Sequence, residues 1–341
     1  HVEAMRAMGH DVEVIAATDE TDETRETRET RETDGSGAAT DRRATEHRIP
    51  SPLFFRGGAP DHLERGRGWL AALSFTARLT AAVARRARHW DLAIAHWLAP
   101  SALAALPARV PLLAIAHGGD VHTLARLHLL GPVIAALRAR GARLAFVSAE
   151  LRARANAPDA LVQPMGIDVE HFSRLRRAPN GSIVMLARLV PIKGVDIAIA
   201  AARDHHLVIA GAGPETYPHG PGVTFLGAVD AARRDELLAT ASVVVVPSRV
   251  LANGRGEGTP LVALEALAAG VPVIASRTGG LVELPVIHVP PEDPSALAAA
   301  IDRVLADPPA RVDMARFAWP VVAQRLLTHA LVRTRVTQFA P

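Results

Sequence analysis

The chain of 341 residues contains no cysteine, which excludes disulfides and thiolate metal or redox sites. Aromatic residues make up 4%, with one Tyr and four Trp. That is too few for base-stacking platforms, and no RNA- or DNA-binding motif is present, so no nucleic-acid partner is expected. Lysine is almost missing too: Lys193 is the single one, and every other fixed cation is Arg. Arginine does not titrate in the accessible range. The isoelectric point of about 10.3 therefore overstates the basicity of a chain whose formal net charge is +3. No apolar run reaches membrane-spanning length: the richest, 92–116, is broken by His96, Pro100, Pro107, Arg109 and Pro111. With no signal-peptide pattern either, a cytoplasmic location is expected.

What is present is a globular composition, 49% hydrophobic and 21% charged, over a length that suits two cores. Residues 1–8 read as the end of an amphipathic helix and 12–17 as a strand. Residues 19–34 repeat Glu-Thr-Arg with no apolar side chain. Such a stretch has nothing to bury and reads as a low-complexity, mobile loop. A helix over 69–90 carries Ala and Leu on one side and Arg78, Arg85, Arg86 and Arg88 on another. That basic face fits a solvated surface and also a peripheral contact with an anionic membrane at its inner face.

Strands and helices then alternate: strand 92–95, helix 101–106, strand 112–116, helix 122–140, strand 144–147, helix 149–156 and a short strand near Leu161. After Pro164-Met165-Gly166-Ile167-Asp168 and an irregular stretch to Gly181, the alternation restarts. Strand 183–187, helix 194–203, strands 207–210 and 223–226, helix 231–240, strand 243–246, helix 258–269, strand 273–275 and helix 294–306 follow. The pattern is that of α/β domains with doubly wound parallel sheets. We read residues 1–165 as one Rossmann-like domain and 166–319 as a second, with helix 320–336 packing back on the first. Ligands of such sheets bind at the carboxyl ends of the strands, here expected in a cleft that the two domains face.

The strongest motif is Gly256-Glu257-Gly258-Thr259-Pro260-Leu261-Val262-Ala263-Leu264-Glu265, which follows four valines after an irregular loop. Thr259 suits the N-cap and Pro260 the first helical position. Free N–H groups and the helix dipole there favour an anion such as a diphosphate. Glu265, two turns into the helix, is a carboxylate for ribose hydroxyls, and Glu257 faces the sugar. Arg188 and Lys193 end the first strand of the second domain, where both reach a diphosphate, Arg as a planar fork and Lys as a point charge. Gly211, Gly213 and Glu215 form a further turn, without the full dinucleotide fingerprint. In the first domain, His117 suits a sugar hydroxyl. Gly118 and Gly119 allow close backbone approach, and Asp120 suits a cap.

These residues resemble glycosyltransferase family 4, retaining enzymes of the GT-B fold. The resemblance runs over nearly the whole chain. It rests on Glu257 and Glu265 with seven residues between them, on the Arg188 to Gly194 segment, on Gly211 to Glu215, on Pro164 to Asp168 and on the turn at His117. It implies a nucleotide-sugar donor on the second domain and a glycan or lipid-linked acceptor on the first, as in polysaccharide biosynthesis. Arg188 and Lys193 would offset charge on the departing diphosphate. Backbone amides from Thr259 to Leu261 would hold phosphate oxygens, with Glu265 on ribose, Glu257 on the donor sugar, and His117 on that sugar from the opposite domain. No cofactor or metal is implied, and Asp168-Val169-Glu170 is the nearest approach to a metal-binding acidic pair. The family's chains open with a central strand and a glycine-rich loop, whereas this sequence starts inside the helix that would follow them. The first domain is therefore expected to be truncated and the chain weakly active. A nucleotide-sugar epimerase of the same fold and a non-catalytic nucleotide-sugar-binding protein are the alternatives.

Overall fold

The computed structural model describes residues 2–18, 46–51 and 68–331. The Glu-Thr-Arg repeat and residues 332–336 of the expected last helix lie outside them. The chain falls into two compact units, His1–Ala145 with Leu326–Pro341, and Phe146–Arg325.

In the first unit, α1 (Val2–Ala7) leads to β1 (Val14–Thr18), which pairs in parallel with β2 (Glu46–Pro50), a strand the sequence pattern did not reveal. The long helix α2 (Trp69–Arg86) is tied to this pair by Glu13, which accepts from Arg86 Nη1 at 2.6 Å and from Trp90 Nε1 at 2.7 Å. Arg78 donates to the Pro50 carbonyl at 2.6 Å. Arg88 Nε donates to His89 Nε2 at 2.9 Å, so three of the four arginines on the basic face serve internal contacts.

Next come β3 (Ala93–His96), a helical turn (Leu98–Ala102) that starts earlier than the expected helix 101–106 and runs on into it, and β4 (Leu112–Ala116). The expected helix 122–140 is two helices, α3 (Gly119–Arg126) and α4 (Leu130–Ala139). The break falls at His128, whose φ of 57° is left-handed and ends the first helix. Pro132 in the first turn of α4 suits a fresh start rather than a helix interior. β5 (Arg143–Phe146) follows, then α5 (Ala149–Arg154) and β6 (Leu161–Val162). The sheet order is β3-β4-β5-β6.

A short helix α6 (Val169–Ser173) occupies part of the stretch expected to be irregular. Asp168 caps it, accepting from His171 N at 2.9 Å, and Glu170 pairs with Arg174. Both carboxylates of the Asp168-Val169-Glu170 run thus have local partners. The six-stranded sheet of the second unit is built from β7 (Ile183–Leu186), β8 (Leu207–Ala210), β9 (Val223–Gly227), β10 (Val243–Val246), β11 (Val273–Ser276) and β12 (Ile287–Val289). Its helices are α7 (Val195–Ala202), α8 (Ala231–Thr240), α9 (Leu261–Ala268) and α10 (Pro294–Ala306). A last helix, α11, spans Trp319–Leu331.

The inner strands β7, β8, β10 and β11 are buried on both faces, which is why they read as continuous apolar runs rather than alternating ones. Val184, Val208, Val244 and Val246 join α8 and α9 in one core, while Ile183, Met185, Val243 and Val245 join α7 and α10 in the other. Full burial of each such side chain contributes about 1.5–3 kcal/mol. The strand order is β12-β11-β10-β7-β8-β9, all parallel. Counted along the chain from β7, this is the dinucleotide-fold order, and it reverses between β7 and β10.

Candidate functional site

The reversal between β7 and β10 splays the connections that leave these neighbouring strands, and the sequence puts its charged motifs on them. Arg188 stands exposed just past β7, its carbonyl accepting from Val190 N at 2.9 Å. Lys193 ends the next turn. Gly194 follows it with φ 66°, and a Cβ there would lie 2.0 Å from the Pro247 carbonyl oxygen, so only glycine lets this turn lie against the end of β10. Arg249 locks the same two loops together. Its N–H donates to the Ile192 carbonyl at 3.0 Å and its guanidinium grips Asp196 at 2.7 and 2.9 Å.

The loop after β10 brings Glu257 back to Lys193. Lys193 Nζ donates to Glu257 Oε1 at 2.5 Å, and the Ser248 hydroxyl donates to Glu257 Oε2 at 3.0 Å. The Glu257 carbonyl accepts from Gly280 N at 3.2 Å. Both carboxylate oxygens and the backbone of Glu257 are thus fixed. Gly211 and Gly213 sit beside the Arg188 loop. Cβ atoms there would fall 1.8 Å from the Ala187 oxygen and 2.1 Å from the Leu189 oxygen, and Glu215 N donates to that same Leu189 carbonyl at 3.2 Å. These two glycines let one loop lie flat on another.

The start of α9 differs from the sequence expectation. Pro260, with ψ 117°, is the N-cap and Leu261 the first helical residue. Thr259 does not cap, because its hydroxyl donates to the Val147 carbonyl at 2.8 Å. Pro260 has no N–H, so the donors at this helix start are those of Gly258, Thr259, Leu261 and Val262. Glu265 lies one turn into α9, not two. Its side chain is only 15% exposed, and Arg234 Nη1 approaches Oε1 at 3.5 Å. Burial raises the Glu265 carboxyl above its ordinary range, against the lowering effect of Arg234. Glu265, Leu261, Arg234, His171, Phe172 and Trp319 line a hollow of about 310 Å³, where the Arg234 guanidinium lies 4.9 Å from the Phe172 ring centre.

In the first unit, His117 follows β4. Asp120 is not the N-cap of α3, a position held by Gly118. Its buried carboxylate accepts from Leu98 N at 2.7 Å, His117 N at 3.1 Å and Gly118 N at 3.0 Å. Gly118 and Gly119 let that turn fold tightly over it. His117 Nε2 lies 2.8 Å from His96 Nδ1, with the rings stacked at 5.0 Å between centres. Burial lowers the His96 pKa to about 3, with the neighbouring His117 adding to the effect. Burial also lowers that of His117, against the raising effect of Asp120. Both rings are neutral at pH 7 and share one hydrogen bond.

Among the described residues no group of three His, Asp or Glu is placed to hold a metal ion, and no helix is long and apolar enough to cross a membrane. The sequence reading missed Ser248, Arg234 and His96. Ser248 and His96 carry a usable signal: each is a polar residue at or just past the end of a buried parallel strand.

The matching sequence segment lies on this second sheet. Residues 180–307 match the model of Glycosyl transferases group 1. An uncharacterized glycosyltransferase of Methanocaldococcus jannaschii is 37% identical over 145 residues, covering 37% of this chain and 36% of that protein. The GDP-mannose-dependent alpha-(1-6)-phosphatidylinositol monomannoside mannosyltransferase of Mycolicibacterium smegmatis is 33% identical over 201 residues, covering 48% of this chain and 53% of that one. The chain therefore spans between about a third and a half of these relatives. Among solved structures, sucrose-phosphate synthase from Thermosynechococcus elongatus superposes with a TM-score of 0.65 at 23% identity, over 96% of this chain and 90% of that one. Anabaena HepE in complex with UDP-glucose gives 0.59 at 18% identity, over 94% and 97%. These likenesses show the fold, α/β with parallel sheets of the GT-B type.

Proposed function

We propose that the protein is a retaining glycosyltransferase that moves a hexosyl group from a nucleotide-sugar donor to a glycan or lipid-linked acceptor. The observation that carries this reading is the cluster of Lys193, Glu257 and Ser248 at the β7–β10 reversal, beside the start of α9. A lone cation there would fit any phosphate ligand. A cation and a carboxylate within hydrogen-bond reach of each other fit a ligand that presents phosphate and sugar hydroxyls side by side. That the glycosyl-transferase match covers this segment, and that HepE was solved with UDP-glucose, adds support.

In this reading residues 166–319 bind the donor and 1–165 serve the acceptor. Arg188 and Lys193 sit on the diphosphate, aided by the N–H groups of Gly258, Thr259 and Leu261. Preorganised positive charge where the leaving group gains negative charge is usually the largest single contribution to rate. Glu257 orients the donor sugar, Glu265 takes the ribose hydroxyls, and Gly211, Gly213 and Glu215 hold the Arg188 loop in place. His117 meets a sugar hydroxyl through Nδ1, since Nε2 faces His96, and Gly118, Gly119 and Asp120 shape its turn.

Thermal denaturation with UDP-, GDP- and ADP-sugars tests the donor assignment. One of them at a hundredfold excess over its Kd should stabilise the chain by about 2.7 kcal/mol. Incubation with acceptors should then yield a product with the donor's anomeric configuration. Stabilisation by none of the three would end the reading. An epimerised sugar formed without acceptor would identify the epimerase alternative, and binding without transfer to any acceptor the non-catalytic one.

A further inference from the structure

Glu257 is held by two side chains of very different freedom. Lys193, 20% exposed, reaches Oε1 on a flexible four-carbon stem. Ser248 reaches Oε2 from a fully buried position, two residues past the last residue of β10. Its backbone is held on one side by the sheet and on the other by Arg249, which is bound to the Ile192 carbonyl and to Asp196. A hydroxyl so placed has one acceptor to satisfy and little room to turn elsewhere.

Resting on the donor reading above, we propose that Ser248 is a positioning residue that keeps Glu257 aimed while Lys193 moves from the carboxylate to the donor's diphosphate. A diphosphate bearing more negative charge than one carboxylate draws the ammonium toward itself. Oε1 is then released for a sugar hydroxyl. With Lys193 as the sole partner, the Glu257 side chain would lose its orientation at that moment. The hydroxyl of Ser248, which carries no charge and does not follow the phosphate, prevents this. The arrangement links the two halves of donor recognition: arrival of the diphosphate is what uncovers the group that meets the sugar. Positioning of this kind acts on the reacting geometry rather than on overall affinity.

The test compares wild type, Ser248→Ala and Ser248→Thr. Affinities for UDP, GDP and ADP are measured by titration calorimetry, and kcat and KM with the matching sugar nucleotide. Ser248→Ala should lower kcat/KM about tenfold, mainly in kcat, in keeping with loss of one hydrogen bond to a charged group. Its affinity for the nucleoside diphosphate should stay within about twofold of wild type, because the phosphate contacts do not involve Ser248. Ser248→Thr keeps the hydroxyl and should recover most of the turnover. A merely structural role would weaken diphosphate and sugar-nucleotide binding by the same factor, and the threonine variant, with an extra buried methyl, would be worse than alanine. Either result overturns the assignment, as does unchanged kcat/KM in Ser248→Ala. If wild type itself binds none of the three diphosphates, the donor reading fails, and this inference falls with it.

Discussion

Asp120 in the first unit and Glu257 in the second both stand one loop beyond a buried parallel strand, but they are held by different kinds of donor. Asp120 is buried and accepts from three backbone N–H groups, those of Leu98, His117 and Gly118. Those donors cannot leave without unfolding the turn. Glu257 accepts from the side chains of Lys193 and Ser248, and one of these is a flexible cation. A carboxylate satisfied by backbone is part of the architecture, whereas one satisfied by a mobile side chain can exchange partners with a ligand. The histidines of the first unit extend the contrast, since that site presents neutral donors and acceptors where the other presents full charges.

The sharpest test of this contrast has the largest expected effect. Asp120→Ala leaves three N–H groups without their acceptor, two of them buried; at about 1–3 kcal/mol for each buried one, the chain should lose about 2–6 kcal/mol in urea denaturation. Glu257→Gln should stay within about 1 kcal/mol of wild type in the same assay while losing most of its turnover. A similar stability loss in both variants would erase the distinction between the two carboxylates.

The next effect separates the units by pH. His96 is held neutral, its pKa lowered to about 3 from 6.5. The unfolded chain therefore binds a proton below about pH 6.5 that the folded chain refuses until about pH 3. The stability associated with the neutral ring is complete above 6.5 and falls as the pH drops through that window, at up to about 1.4 kcal/mol per pH unit from one group. His117, lowered in the same direction, steepens the loss. Denaturation of wild type and His96→Asn across pH 4 to 7 reads it out. A wild-type curve as flat as that of the variant would show that the buried pair is not the acid-sensitive element.

Legibility in the sequence follows how local the determining physics is. The inner strands of the second sheet were readable because burial on both faces leaves uninterrupted apolar runs, as in Val243, Val244, Val245 and Val246. The starts of α8 and α10 fall where expected, and the carboxylates of Asp230 and Asp293 cap them there. β12 and α6 were missed because three and five residues are too few to show a period. The break at His128 was missed because a left-handed residue there carries no glycine to announce it. Among the charged residues, the nearness of Lys193 and Glu257 was foreseeable from strand ends in a doubly wound sheet. The Thr259 cap was misjudged because its hydroxyl answers to Val147, more than a hundred residues away in sequence. Arg234 was invisible for the same reason, since its partner is set by packing and not by spacing, whereas Ser248 could have been found from its place just past a buried strand.

Glu265 gives the smallest effect and the finest discrimination, because it combines features of both carboxylates. It is largely buried like an architectural group, yet its partner is the side chain of Arg234, at a long 3.5 Å. Burial raises its pKa above the ordinary 4.5, so at neutral pH the ionised form carries a cost that Arg234 only partly offsets. Glu265→Gln removes that charge and retains an acceptor for Arg234. The variant should therefore be the more stable of the two at pH 7. The sign follows from linkage: with a raised folded-state pKa, the folded wild type takes up its proton first as the pH falls. Its disadvantage therefore shrinks through the folded pKa and is gone near 4.5. If Glu265 meets the ribose, the same substitution should weaken nucleotide binding about tenfold while it stabilises the free chain. A variant that is less stable at pH 7, or that binds nucleotide as well as wild type, would place Glu265 with Asp120 as a structural group and remove it from the donor site.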